Sequence, residues 1–176
     1  MKIAFGCKQR SGKDTAADYL ISKHSGMKLS FADSLYKILH QAQHKLGFPK
    51  EKDRKFMQFI GTEWARDKDP DVFINILLKE LGFCEDAHNC DLYSFFVTDV
   101  RFPNEFKALK DNGFYMVKVH RPCESELLEE HSSEMSLDSL PEEEWNAVVV
   151  NDGSLQDFYD KLDHLWAHIS DSTAIH

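Results

Sequence analysis

Lys2-Ile3-Ala4-Phe5-Gly6-Cys7-Lys8-Gln9-Arg10-Ser11-Gly12-Lys13-Asp14-Thr15 runs from a short apolar stretch through a polar, basic loop into a pattern with Ala16, Ala17, Leu20 and Ile21 at helical spacing. Strand, loop, helix is the context that a Walker A phosphate loop requires. Ser11 and Gly12 are small enough for the backbone to curl, so that successive N–H groups point at phosphate oxygens while the following helix aims its positive end at them. Lys13 supplies a mobile point charge for the β and γ phosphates. Lys8 and Arg10 add two cations where charge on the equatorial oxygens needs stabilising. The match to G-x-x-x-x-G-K-[ST] departs at two positions: Cys7 stands at the first glycine, with Gly6 one residue early, and Asp14 stands at the Ser/Thr. Either the Thr15 hydroxyl or the Asp14 carboxylate offers magnesium a hard oxygen, with Thr15 the preferred ligand. The competing reading makes Lys8, Arg10 and Lys13 solvated charges in an ordinary strand-to-helix turn.

Outward from this loop, strands and helices alternate. Met27 to Phe31 reads as a second short strand, and Asp33 as the N-cap of a helix through Leu35, Ile38, Leu39 and Ala42 that Gly47 and Pro49 end. Between Lys50 and Leu81 the positions Phe56, Phe59, Ile60, Trp64, Val72, Phe73, Ile76 and Leu77 keep helical spacing, with a fresh start at Asp69-Pro70. Gly82 to Asp91 reads as a polar loop. Leu92 to Val100 is aromatic, β-branched and nearly continuous, which predicts a strand buried on both faces. Asp99, at its carboxyl end, falls where open α/β sheets place ligands, or else caps the next segment. Arg101 follows it by two residues. Pro103 and Gly113 bracket a helix, Phe114 to Val119 and Ala147 to Val150 are strands, and Ser154 caps a final helix through Trp166, with residues 170–176 expected to fray. Strands joined by helical crossovers predict an α/β fold with a parallel sheet covered on both faces.

The 176 residues suit a single domain, since domains typically hold about 100 to 200 residues. Hydrophobic residues make up 42% of the chain, and no apolar run approaches the roughly 20 residues that cross a bilayer. With no secretory pattern after Met1-Lys2, the expectation is a soluble cytoplasmic protein without a membrane partner. A net charge of -9 has the wrong sign for holding a long nucleic acid, whereas a small anion in a local basic cleft remains compatible. Cys7, Cys84, Cys90 and Cys123 form no CxxC pair and read as free thiols. Cys84-x-x-x-His88-x-Cys90, with Asp86 and Asp91 nearby, offers zinc-type ligands without standard knuckle spacing, and also reads as a plain polar loop.

Several segments occur together in order: Arg10-Ser11-Gly12-Lys13-Asp14-Thr15, Ser30-Phe31-Ala32-Asp33-Ser34-Leu35, Gln58-Phe59-Ile60-Gly61-Thr62-Glu63 and Thr98-Asp99-Val100-Arg101-Phe102-Pro103-Asn104-Glu105. Val119-His120-Arg121-Pro122, His131-Ser132-Ser133-Glu134 and Val150-Asn151-Asp152-Gly153-Ser154 continue the series. The set resembles the deoxynucleoside monophosphate kinases of bacteriophages. This resemblance implies a three-layer, adenylate-kinase-like P-loop fold, ATP with magnesium as phosphoryl donor, and a deoxynucleoside monophosphate as acceptor. It implies that residues 33–81 form a helical acceptor-binding insert and that residues 121–141 form a short lid, although Glu124, Glu126, Glu129 and Glu130 make that stretch acidic. The donor side is Lys8, Ser11, Gly12, Lys13, Asp14, Thr15 and Arg121. The acceptor side is Asp33, Lys37, Arg54, Thr62, Arg66, Asp99, Arg101 and Glu134, with Lys13, Arg10, Arg101 and Asp99 as the catalytic set. Arg66 suits a phosphate because a guanidinium fork grips it bidentately; the alternative is an ion pair with Glu63 or Asp67 on the same helix. Host cytoplasm is implied if the chain is phage-encoded, and a homodimer is compatible.

Animal phosphomevalonate kinases look similar around Ser11-Gly12-Lys13-Asp14 and around Asp99 and Arg101, which keeps transfer to that isoprenoid phosphate as a rival. A non-catalytic nucleotide-binding regulatory module is the second alternative. No Asn-Lys-x-Asp guanine-reading segment is present, and Arg54, Arg66 and Lys68 offer a second anion site.

Overall fold

The structure is a computed structural model and describes residues 1–6, 10–87, 93–122, 137 and 140–173. Strand β1 (Lys2–Gly6) buries Ile3, Ala4 and Phe5 completely, as a strand must when both of its neighbours are strands and both sheet faces are covered. It pairs in parallel with β3 (Ser94–Val100) on one side and β4 (Tyr115–His120) on the other; β5 (Ala147–Val150) extends the sheet beyond β4. With β2 (Gly26–Leu29) outside β3, the order is β2-β3-β1-β4-β5. The near-continuous apolar run of β3 has the predicted cause, since Ser94 to Thr98 are all buried.

Met1–Lys28 and Asp91–His176 form one compact unit. Helix α1 (Lys13–His24) buries Ala16, Ala17 and Leu20, and α7 (Leu155–Thr173) buries Phe158, Leu162, Leu165 and Ile169 in the same core as Phe5 and Phe96. Each fully buried Phe or Leu contributes about 1.5–3 kcal/mol, so these two helix faces and the sheet are the main stabilising layer. Gly6, at the end of β1, meets Trp145: a Cβ there would come within 2.4 Å of the indole ring. Trp145 in turn packs edge-on against Phe106 of α6 (Pro103–Asp111) at 4.7 Å. A short 3-10 turn, Glu142–Glu144, precedes it.

Leu29–Cys90 form the second unit, which is helical. It holds α2 (Phe31–Leu46), α3 (Arg54–Gln58), a π-helical turn (Phe59–Trp64), α4 (Ala65–Lys68) and α5 (Val72–Ala87). Lys37 of α2 and Glu80 of α5 form an ion pair.

Four expectations about elements need correction. Ser30, and not Asp33, caps α2: its Oγ accepts from the Ala32 N–H at 3.1 Å, so Phe31 opens the helix instead of closing a strand, and Asp33 sits in the first turn. The helical run from residue 54 is interrupted, because a π turn shares the periodicity of its flanks and is invisible to spacing alone. Helix α5 passes through Gly82 to Ala87, where a loop was predicted. A glycine costs a helix about 1 kcal/mol, which burial of Leu77 and Leu81 outweighs. Finally, α7 continues past Trp166 to Thr173, since Ile169 is still buried.

His88 and Cys90 of the zinc reading, Lys8, Glu134 and nearly all of the 121–141 segment lie outside the described residues. Among the described residues, no group of three or more side chains is arranged to hold a metal ion, and no helix is long and apolar enough to cross a membrane.

Candidate active site

In the described part of the loop, Arg10 has φ 60° and Gly12 has φ 110°. Both lie in the left-handed region, which L-residues enter at a cost of about 1–2 kcal/mol and glycine enters freely. Space makes the same demand at Gly12, where a Cβ would lie 2.8 Å from the Asn151 side-chain nitrogen. The Gly12 carbonyl accepts from Ala16 N at 2.9 Å and so begins α1, leaving the first N–H groups of that helix at the loop.

Asn151 explains why the loop holds this shape. Its Nδ2 donates to the Ser11 carbonyl at 2.9 Å, and its own N–H donates to the His120 carbonyl at 2.7 Å. One residue therefore ties the end of β5 to the end of β4 and to the phosphate loop. The turn that follows is itself braced. Lys161 donates to the Val150 carbonyl at 2.7 Å and to Asp152 at 2.6 Å, and the Asp152 carboxyl is held below the usual carboxylate range by that bond. Ser154 and Asp157 exchange hydrogen bonds as a capping box at the start of α7, and the Ser154 hydroxyl, donating to the Asp157 carboxylate at 2.8 Å, followed by the Ser154 N–H, lowers the Asp157 pKa.

These elements enclose a pocket of about 330 Å³. The loop and α1 contribute Arg10, Gly12, Lys13, Asp14 and Thr15; the end of β4 contributes Arg121; the β5–α7 connection contributes Asn151, Gly153, Leu155 and Phe158. Ser11 is buried and does not line the pocket, and its Oγ lies 3.5 Å from Lys13 Nζ. Arg10, Lys13 and Arg121 thus line one cavity at a helix N-terminus, an arrangement suited to a polyanion, and Leu155 with Phe158 give the same cavity an apolar wall. The Asp14 carboxylate accepts from the Thr98 hydroxyl at 2.8 Å.

Asp99 closes β3 and is partly buried; Arg101 is exposed. Neither lines that pocket. The backbone beside them is fixed by Glu105, a carboxylate with 1% exposure that accepts from Arg101 N at 2.9 Å and Phe102 N at 3.2 Å. In the helical unit, Asp33, Lys37, Arg54 and Thr62 are exposed on α2, α3 and the π turn. Arg66 is only partly exposed. Its Nη1 donates to the Gly61 carbonyl at 2.6 Å and its guanidinium lies 4.7 Å over the Phe73 ring. It supports the π turn whatever else it binds.

Asn151, Thr98, Glu105 and Lys28 drew no role from the sequence. Asn151, Thr98 and Glu105 stand inside segments that carry the family resemblance, but an Asn or Thr in a turn or strand has many uses. Only the fold shows which backbone or carboxylate each one meets.

A parallel sheet centred on β1, a phosphate loop leading into α1 and a cationic pocket above them define the P-loop kinase class of phosphotransferases. The fold is shared with a dephospho-CoA kinase from Campylobacter jejuni at a TM-score of 0.58 and 17% identity, covering 98% of this chain and 100% of that one. The family model for deoxynucleotide monophosphate kinases matches residues 50–162, and this chain belongs to that family. A protein of Acanthamoeba polyphaga mimivirus that is assigned by name to the deoxynucleotide monophosphate kinases is 29% identical over 178 residues, covering 86% of this chain and 89% of its own. ORF77 of Ictalurid herpesvirus 1 (strain Auburn) is 33% identical over 167 residues, covering 91% and 68%. The deoxynucleotide monophosphate kinase of Escherichia phage RB69 is 29% identical over 119 residues, covering 64% of this chain and 43% of that one. The protein is accordingly a phosphotransferase with a phosphate acceptor.

Proposed function

We propose that the protein transfers the γ-phosphoryl group of ATP to a deoxynucleoside monophosphate, giving ADP and the deoxynucleoside diphosphate, a step in dNTP supply. The observation that carries this reading is the pocket in which Arg10, Lys13 and Arg121 line a cavity at the start of α1 beside an apolar wall of Leu155 and Phe158. Cations and helix N–H groups suit the triphosphate, and the apolar wall suits the base. Lys13 serves the β and γ phosphates, Ser11 and Gly12 shape the loop, and Arg10 and Arg121 neutralise charge as it shifts toward the leaving ADP. Lys8 belongs to the same loop by sequence.

Thr15 and Asp14 both line the pocket and present hard oxygens, so the donor set fits magnesium, with Thr15 the preferred ligand. When bound, the ion would supply positive charge to offset the charge of the phosphates. An oxygen of the acceptor phosphate forms the new bond to the γ phosphorus as the bond to the β-bridging oxygen breaks. The acceptor is already ionised, so positioning and charge do the catalytic work and no strong general base is needed. Asp99 and Arg101 orient the reacting groups, and Asp33, Lys37, Arg54, Thr62, Arg66 and Glu134 are assigned to the acceptor. Both nucleotides are cytoplasmic metabolites, which places the activity in that compartment, that of the host for a phage-encoded chain.

The test is ATP consumption against dAMP, dGMP, dCMP, dTMP, their ribose forms and phosphomevalonate. Turnover with one or more deoxynucleoside monophosphates is expected, and Lys13→Ala should reduce kcat at least about a hundredfold while the chain stays folded. Tight ATP binding without product from any monophosphate would instead identify a regulatory module. Turnover with phosphomevalonate alone would identify the isoprenoid kinase.

A further inference from the structure

Asp14 puts a carboxylate where a phosphate loop normally has a hydroxyl, in the same pocket as Lys13 and Arg10. A negative charge there repels a polyphosphate unless its direction is controlled and a cation stands against it. Two side chains from neighbouring strands provide that control. Thr98 of β3, 5% exposed, donates its Oγ1 proton to Asp14 Oδ1 at 2.8 Å. Lys28 of β2 places Nζ 3.4 Å from the same Oδ1 and 2.7 Å from Asp18 Oδ1. Asp14 and Asp18 are four apart on α1, a like-charge spacing that disfavours the helix unless a cation bridges it. Among the described residues, both side-chain contacts to Asp14 fall on Oδ1 and none on Oδ2.

We infer that Lys28 and Thr98 are positioning residues that clamp Asp14 by Oδ1, so that Oδ2 is presented in a fixed direction, alongside the preferred Thr15 hydroxyl, to the divalent cation accompanying the nucleotide. Lys28 does not line the pocket and acts through Asp14. The inference rests on the ATP-site reading above and is independent of which monophosphate is phosphorylated. It also gives the departure at Asp14 a reason: the loop uses an anchored carboxylate, and a residue on β2 anchors it.

The experiment measures binding of a fluorescent, non-hydrolysable ATP analogue to the full chain, with Mg2+ and with EDTA, and takes the ratio of the two affinities. Lys28→Met and Thr98→Val should each reduce the Mg2+ enhancement by about fivefold or more, Lys28→Arg should retain it, and in an Asp14→Asn background Lys28→Met should change it less than about twofold. Circular dichroism checks folding, and if either variant unfolds, the other carries the test. An unchanged Mg2+ enhancement in folded Lys28→Met, or an equal loss with and without Asp14→Asn, overturns the inference alone. A wild-type chain that binds no nucleotide overturns the donor-site reading and this inference together.

Discussion

Asn151 Nδ2 sits 2.9 Å from the Ser11 carbonyl, and the same nitrogen would be 2.8 Å from any Cβ introduced at Gly12. The group that holds the phosphate loop is therefore also the one that a side chain at Gly12 would have to displace.

The two substitutions at this contact should be coupled. Asn151→Ala removes one hydrogen bond, worth about 1 kcal/mol net, and should weaken ATP binding about fivefold with little change in kcat. Gly12→Ala should cost more, about tenfold or greater in kcat/KM, because left-handed strain adds to the collision. Asn151→Ala frees the space but not the strain, so the double variant should be less impaired than the product of the two single effects. Steady-state kinetics on all four proteins measure this.

Arg66 should show two effects that separate by readout. Losing its bond to the Gly61 carbonyl and its stack on Phe73 should lower Tm in Arg66→Ala and in Arg66→Lys alike, by the equivalent of about 1–2 kcal/mol, because lysine keeps the charge but not the planar fork. Its acceptor role predicts that KM for the monophosphate rises at least about tenfold in Arg66→Ala while KM for ATP stays nearly constant. Calorimetry and kinetics on the same preparations report the two parts.

His24 supplies a pH dependence. Its ring stacks on Trp166 at 3.9 Å, and burial first, then the Lys23 charge, push its pKa below 6.5 against an opposing pull from Asp163. A base whose folded pKa is depressed is protonated first in the unfolded chain. Stability is thus unaffected well above 6.5 and declines as pH falls from 6.5 toward the lower folded value. His24→Phe keeps the stacking without the titration. Between about pH 7.5 and about pH 5, Tm of the wild type should fall more steeply than that of His24→Phe.

The sheet and the phosphate loop were legible because both impose local patterns: a continuous apolar run for β3, and a small-residue loop between strand and helix for the site. The misreadings share a cause. Gly82 reads as a stop signal, yet it lies inside α5 with no atom near its missing Cβ, and tertiary burial on the opposite face carries the helix onward. Asp33 and Ser30 are both good caps, and only the fold shows that Ser30 takes the role, its Oγ accepting from the Ala32 N–H. Asn151, Lys28 and Thr98 act on residues far away in the chain, so no local spacing announces them.

The central position of β1 also sets an order of events as the chain is made. Lys2 pairs with Phe95 and Ile3 with Tyr115, so β1 is synthesised long before either partner exists. Until β3 emerges, the apolar stretch Ile3–Phe5 has no strand to pair with, and until β5 has emerged the phosphate loop has no Asn151 to fix it. Pairings of such long range are slow to form, so nucleotide binding should be among the last properties a newly made chain acquires, well after its helices have formed.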